Sequence, residues 1–275
     1  MQAFEQEVAT HYSHGNLEAA ILAGLQAMGR DRDHIRPDDL AAIDEFHIGG
    51  KAATEHLATQ LGLAPGMSLL DVGSGLGGAA RFFARQYGCR VTGIDLTPEY
   101  VSVATRLTEL VGLDGKADFR VGSALDLPVP DGSFERATLL HVGMNNPDKD
   151  RLCREVHRVL KTGGLLAIYD VMRTGEDEIE FPVPWAATPS TSFLQTREHY
   201  RQALAESGFK ITSESNRRDQ GIEFFRTMRT RMAEGGPPPL GLHILMGRDA
   251  PMKTANMLRN LEHGQIAPVE IISAK

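Results

Sequence analysis

Asp71-Val72-Gly73-Ser74-Gly75-Leu76-Gly77-Gly78 sets an acidic side chain two positions ahead of a glycine cluster. Glycines there let the backbone turn tightly and let a ligand lie against the main chain. Asp95 follows twenty residues after Gly75, where a carboxylate can accept the hydroxyl hydrogens of a ribose. Gly73-x-Gly75-x-x-Gly78 also fits a dinucleotide fingerprint, whose amides cradle a pyrophosphate. Asp71 decides between the two readings. Under a pyrophosphate it repels; beside an ammonium group it attracts, directly or through water. A ligandless glycine turn is the third reading, and the strand–turn–helix context disfavours it.

These residues need a scaffold, and the surrounding sequence supplies one. Ser68–Val72 reads as a buried strand, 78–87 as a helix, and Arg90–Asp95 as a second strand. Thr97 is a candidate N-cap with Pro98 at the first helical position, opening a helix to about Val111. Strands follow at 117–121 and 136–141, a helix at 147–160 closed by Gly163-Gly164, and a fifth strand at 165–171. Strand–helix alternation implies parallel pairing with right-handed crossovers, and short apolar runs fit strands covered on both faces. A helix at 196–207 and strands near 209–214 and 268–273 complete the pattern. The predicted fold is α/β: a doubly wound, Rossmann-like, seven-stranded, mostly parallel sheet. We expect one domain over 1–275, with an N-terminal helical cap (1–62), a ligand-binding core (63–172) and C-terminal strands (173–275). The last part carries a helical lid or insertion near 216–266, hinged at Gly235–Pro239.

Leu69–Gly78 resembles the first motif of class I S-adenosylmethionine-dependent methyltransferases. Gly93-Ile94-Asp95-Leu96 resembles their acidic second motif. Gly122-Ser123-Ala124 with the run 127–135 resembles the approach to their fourth strand, and 159–165 the segment before their fifth. The likeness spans about residues 47–172, with the motifs in order. It implies S-adenosylmethionine as cofactor, a ligand that carries a cationic amine and no phosphate. By the same resemblance Asp71, Gly73, Ser74 and Gly75 hold its methionine part, Asp95 its ribose, and Leu96, Ser123 and Ala124 its adenine. The family often has Asp at the position of Ser123; a hydroxyl is the weaker acceptor.

Methyl transfer from a sulfonium is an in-line displacement, so the protein chiefly positions the acceptor. A general base is needed only when the acceptor carries a proton at reaction pH. His141, at the end of the fourth strand, is a candidate base or cofactor contact, and a structural role satisfied by backbone stays open. Met144 and Asn145 follow it as candidate acceptor contacts. Trp185, set between prolines and an alanine, could wall an apolar or cationic substrate or pack the insertion onto the sheet. Asp44–Gly50 resembles a segment that folds over the cofactor in sarcosine/dimethylglycine and phosphoethanolamine N-methyltransferases, which implies cofactor contacts at Gly49 and Gly50. His11-Tyr12-Ser13 resembles their N-terminal lid and makes Tyr12 a second catalytic candidate. The likeness leans toward nitrogen as acceptor; carbon or oxygen of a quinone- or phenol-type metabolite is the alternative.

Composition narrows the partners. With 275 residues, 29 basic against 36 acidic and a net charge of −7, the chain has no general field to gather nucleic acid. Asn145-Asn146-Pro147-Asp148 lacks the second proline and the aromatic of the DNA amino-methyltransferase motif. Cys89 and Cys153 form no disulfide framework or zinc pattern, and no metal is expected. No apolar run reaches the ~18–20 residues of a membrane helix. The expected partner is a small molecule; the expected compartment is the cytoplasm, and a homodimer is compatible with the sequence. Rivals from other classes are a nicotinamide-dependent oxidoreductase and a non-catalytic S-adenosylmethionine-binding protein.

Overall fold

The computed structural model describes residues 2–275. Its centre is a seven-stranded sheet: β1 (Ser68–Val72), β2 (Arg90–Asp95), β3 (Ala117–Val121), β4 (Phe134–Leu140), β5 (Leu160–Arg173), β6 (Lys210–Asn216) and β7 (Ile266–Ala274). The strand order is β3-β2-β1-β4-β5-β7-β6. The first five are parallel, and β7 runs antiparallel to both β5 and β6. The order reverses between β1 and β4, so ligands are expected beyond the carboxyl ends of those strands.

The helices are α1 (Ala3–Tyr12), α2 (Leu17–Ala27), α3 (Ala41–Asp44), α4 (Gly50–Gln60), α5 (Gly78–Tyr87), α6 (Pro98–Leu110), α7 (Lys149–Val159), α8 (Arg197–Glu206), α9 (Arg218–Gly235), α10 (His243–Met246) and α11 (Ala250–Glu262). Strand alternation explains how both sheet faces are covered. In β1, Leu70 and Val72 pack with Val156 of α7 and Leu204 of α8. Leu69, on the opposite face, packs with Leu57 of α4 and Phe83 of α5. A third cluster joins Ile21 and Leu25 of α2 to Val103 and Leu107 of α6. A fourth packs Trp185 with Phe225 of α9 and Met257 and Leu261 of α11.

The doubly wound architecture agrees with the sequence reading, with local departures. Helix α7 stops at Val159, and β5 already begins at Leu160, which pairs with Phe134. The expected Gly163-Gly164 helix stop instead falls inside the strand, where Gly163 N–H donates to Lys275 O and Gly164 O accepts from Lys275 N–H. The expected helical cap is broken after α2 by two short 3-10 turns and by Gly49 at φ 86°. Helix α1 lies inside the expected N-terminal cap. Strand β7 includes Pro268, whose carbonyl accepts from Arg217 N–H just past the end of β6. The proline's missing N–H falls just beyond the last β6–β7 pair, Asn216 with Val269, so the regular ladder is not interrupted. Arg218 and Arg226 tie α9 to α11. Arg218 Nε and Nη2 cap the Leu261 and Glu262 carbonyls, and Arg226 pairs with Glu262 at 2.6 Å.

Candidate active site

The glycine turn after β1 folds back onto β2. Gly73 N–H and Ser74 N–H both donate to Ile94 O, at 2.7 and 3.1 Å. Gly75 adopts φ 54°, and a Cβ there would meet no protein atom within 4 Å, so the loop is open on that side. Gly78 serves packing instead: a Cβ would strike the Asp44 carbonyl oxygen at 1.9 Å. Asp44 also takes a 2.5 Å bond from the buried Arg81, so the 41–48 stretch is anchored over the first turn of α5.

At the tip of β2, Asp95 accepts from Gly75 N–H and Thr97 N–H, both at 2.8 Å. Burial raises its pKa and those amides oppose the rise. A carboxylate has about four acceptor positions, so roughly two stay open to a diol.

Asp71, 1% exposed, closes the cavity floor. Thr138 Oγ1 donates to its Oδ1 at 2.8 Å, while its Oδ2 has no partner. Burial pushes its pKa up to about 7; Thr138 counters this, and the charges of Glu45 and Asp95 add to it. Ser74 Oγ, Tyr100 Oη and His141 Nε2 are likewise buried and unpartnered. All four residues border one cavity. An unmatched buried polar atom costs ~1–3 kcal/mol, so their convergence is the signature of a polar ligand. An ammonium satisfies Asp71; a diphosphate does not.

His141 leaves β4 with φ 56°, the single non-glycine residue with positive φ among the described residues. Such strain gathers at functional positions. Its ring stands 5.9 Å from that of His47 and 5.3 Å from that of Tyr169. Burial, reinforced by His47, holds its pKa well below the usual histidine value, so the imidazole is neutral. His47 is itself pushed down to about 4 by burial, and its ring bonds Gly50 O and Thr54 Oγ1.

Tyr12, from α1, donates to Asn145 Oδ1 at 2.9 Å. Asn145 Nδ2 donates in turn to the carbonyls of Trp185, at 3.0 Å, and Thr191, at 3.3 Å. The fold thus draws three sequence candidates into one network. Tyr12, the second catalytic candidate, borders the same cavity with its phenol donating to Asn145, and burial pushes its pKa up, so it keeps its proton. Trp185 is 1% exposed and donates to Ser192 Oγ at 3.0 Å. It packs the insertion and shows only part of its surface to the cavity, beside Met144.

Gly49 and Gly50 lie apart from the other expected cofactor contacts. They border a neighbouring outer cavity rather than the one holding Asp71 and Asp95. The reason is local: the chain turns away at Gly49 to start α4, leaving Glu45, Phe46 and His47 against the inner cavity. Leu96, Ser123 and Ala124 do border the inner cavity, at its Asp95 end. Sequence reading missed Glu5, Tyr100, Phe224, Met228 and Met246, all of which face it. Among the described residues no group of three His, Cys, Asp or Glu is placed to hold a metal ion, and no helix is long and apolar enough to cross a membrane.

Residues 70–168 match the family described as Methyltransferase domain. Methyltransferase GfsG of Streptomyces halstedii is 32% identical over 214 residues, 76% of this chain and 74% of that protein. Erythromycin 3''-O-methyltransferase of Saccharopolyspora erythraea is 32% identical over 190 residues, 64% of this chain and 62% of that one. Other relatives are named as nitrogen and carbon methyltransferases. The solved structure of phosphoethanolamine N-methyltransferase 2 from Haemonchus contortus, in complex with S-adenosyl-L-methionine, superposes with a TM-score of 0.77 at 18% identity. It covers all (100%) of this chain and 60% of that one. The chain belongs to the class I S-adenosylmethionine-dependent methyltransferases, and its cofactor is S-adenosylmethionine.

Proposed function

We propose that the protein methylates a hydroxyl group of a bulky, largely apolar small molecule, with His141 as proton acceptor. One observation carries the reading: a neutral imidazole whose Nε2 is buried and unpartnered, on a residue that borders the same cavity as Asp71 and Asp95. The cofactor supplies an electrophilic methyl group on a sulfonium. Asp71 and the glycine turn are suited to hold its amino-acid part, Asp95 its ribose, and Leu96 with Ala124 its base. With cofactor and acceptor bound, His141 Nε2 would take up the hydroxyl proton that the acceptor oxygen gives up on methylation. A positioned base of this kind contributes typically ~10²–10⁴-fold.

The acceptor's bulk is read from the space. The inner cavity holds about 180 Å³, below the ~300 Å³ at which ligand pockets usually begin, and it must already admit the cofactor. The outer cavity, about 1110 Å³, shares Phe224, Met228, Leu242 and Met246 with it as a common wall. An acceptor that presents its hydroxyl inward and rests its body outside fits both. Methionines adapt to irregular apolar shapes. The lean toward nitrogen rested on Asp44–Gly50, and that stretch spends its polar groups internally, on Arg81, Thr54 and the Gly50 carbonyl.

The test is transfer of labelled methyl from S-adenosylmethionine to panels of apolar alcohols, phenols and amines of graded size. Labelled ethers from the larger hydroxyl compounds, lost in His141→Asn, are expected. Transfer confined to amines, or full turnover in His141→Asn, would overturn the reading.

A further inference from the structure

Glu5 lies in the first turn of α1, yet it is 4% exposed and borders the inner cavity with Asp95, Leu96 and Ala124. A buried carboxylate usually has a cationic partner. Here its hydrogen bonds come from a hydroxyl and a main-chain amide: Ser123 Oγ donates to Oε1 at 2.5 Å and Gln2 N–H to Oε2 at 2.6 Å. Ser123 Oγ itself accepts from Leu125 N–H at 3.0 Å, which aims its hydrogen at Glu5. The serine therefore orients a carboxylate that another element delivers, and each Glu5 oxygen keeps an acceptor position free.

We propose that Glu5 reads the adenine base, accepting a hydrogen bond from its exocyclic amine. The inference rests on the cofactor placement above, with Asp95 at the ribose; the base then extends from the β2 tip toward 122–124, where Glu5 waits. The exocyclic amine is adenine's hydrogen-bond donor on its exposed edge, and a carboxylate is an acceptor only. A base with a carbonyl at that position would set oxygen against oxygen. Because Glu5 belongs to α1, the same bond fastens the N-terminal helix over the bound cofactor. The role of Ser123 changes accordingly, from direct adenine contact to positioning residue.

The test compares S-adenosylhomocysteine with S-inosylhomocysteine, which carries a carbonyl in place of the amine, by titration calorimetry. The wild-type protein should prefer the adenosyl compound by about ten- to a hundredfold, the range of a charge-assisted hydrogen bond. Glu5→Gln, which keeps shape and can donate as well as accept, should bring the ratio close to one, as should Glu5→Ala. Adding Ser123→Asp to Glu5→Ala should restore the preference. Asp95→Asn should weaken both compounds alike, which separates failure of the ribose placement from failure of this proposal. An unchanged ratio in both Glu5 variants, or equal losses for both compounds, would overturn it.

Discussion

The phenolic hydrogen of Tyr12 reaches the side-chain amide oxygen of Asn145, 2.9 Å away and 133 positions along the chain. This bond ties α1 to the loop that follows His141, so the two segments hold each other in place. Tyr12→Phe deletes the donor and leaves a buried amide oxygen short, at a cost of ~1–3 kcal/mol. Amide hydrogens of residues 3–12 should then exchange faster, and turnover and cofactor affinity should fall together. Hydrogen exchange unchanged in α1 would contradict the coupling.

His141→Asn should lower turnover by ~10²–10⁴-fold and leave S-adenosylhomocysteine affinity near its wild-type value. Asparagine tolerates the left-handed backbone of this position, where alanine adds strain. The depressed pKa keeps His141 deprotonated through its ordinary titration range, so turnover at saturating cofactor should stay level across pH 6.5. Kinetics set beside calorimetry check both points; the reverse ranking would move His141 to the cofactor contacts.

Asp71 makes cofactor affinity depend on pH. Its carboxyl, raised to about 7 with Glu45 and Asp95 facing it, keeps a proton that the unfolded chain sheds above about 4. Its contribution to the stability of the free protein is therefore full at low pH and is lost as pH rises through about 7. An ammonium needs the ionised form. Affinity should climb as pH passes through about 7 and stop climbing where an α-amino group deprotonates, about 8. Binding below the midpoint should release protons. Asp71→Asn should flatten the climb, which titrations across pH will show; an equal slope in the variant would refute the salt link.

Asp95→Asn retains an acceptor oxygen for one amide but loses the charge. Weakening of S-adenosylhomocysteine by ~1–3 kcal/mol is expected, measured by calorimetry. Unchanged affinity would contradict the ribose role.

Asp44→Ala leaves the Arg81 guanidinium buried without its carboxylate. Loss of one partner of a buried pair costs ~3–5 kcal/mol. Asp38→Ala, at the exposed pair with Arg85, should cost ~0–1 kcal/mol. Urea unfolding of the two variants gives the comparison, and equal losses would show that the Asp44–Arg81 contact anchors nothing.

The donor half of the site was legible because it is local. The strand–turn–helix around Gly73 and the acid ending β2 are fixed by short spacings, and a parallel sheet puts every strand tip at one edge. His141 and Asn145 could be placed for the same reason. Glu5 could not, because its partner Ser123 lies 118 positions away and the residue at the start of α1 is Gln2, not one of the usual capping types. Phe224, Met228 and Met246 were hidden because apolar residues in the insertion carry one periodicity whether they face a core or a cavity. The cavity that Gly49 and Gly50 border could not be read, because a left-handed glycine marks a turn without saying which wall it serves.

Strands β6 and β7 lie side by side, with Asn216 opposite Val269 and Arg217 N–H bonded to Pro268 O at 2.8 Å. The segment between them, with Phe224, Met228, Met246 and Met257, therefore leaves and rejoins the sheet through a single doorway. Both cavities draw part of their wall from this one excursion, so a substitution at Phe224, Met228 or Met246 reshapes ligand space without shifting the register of the flanking hairpin.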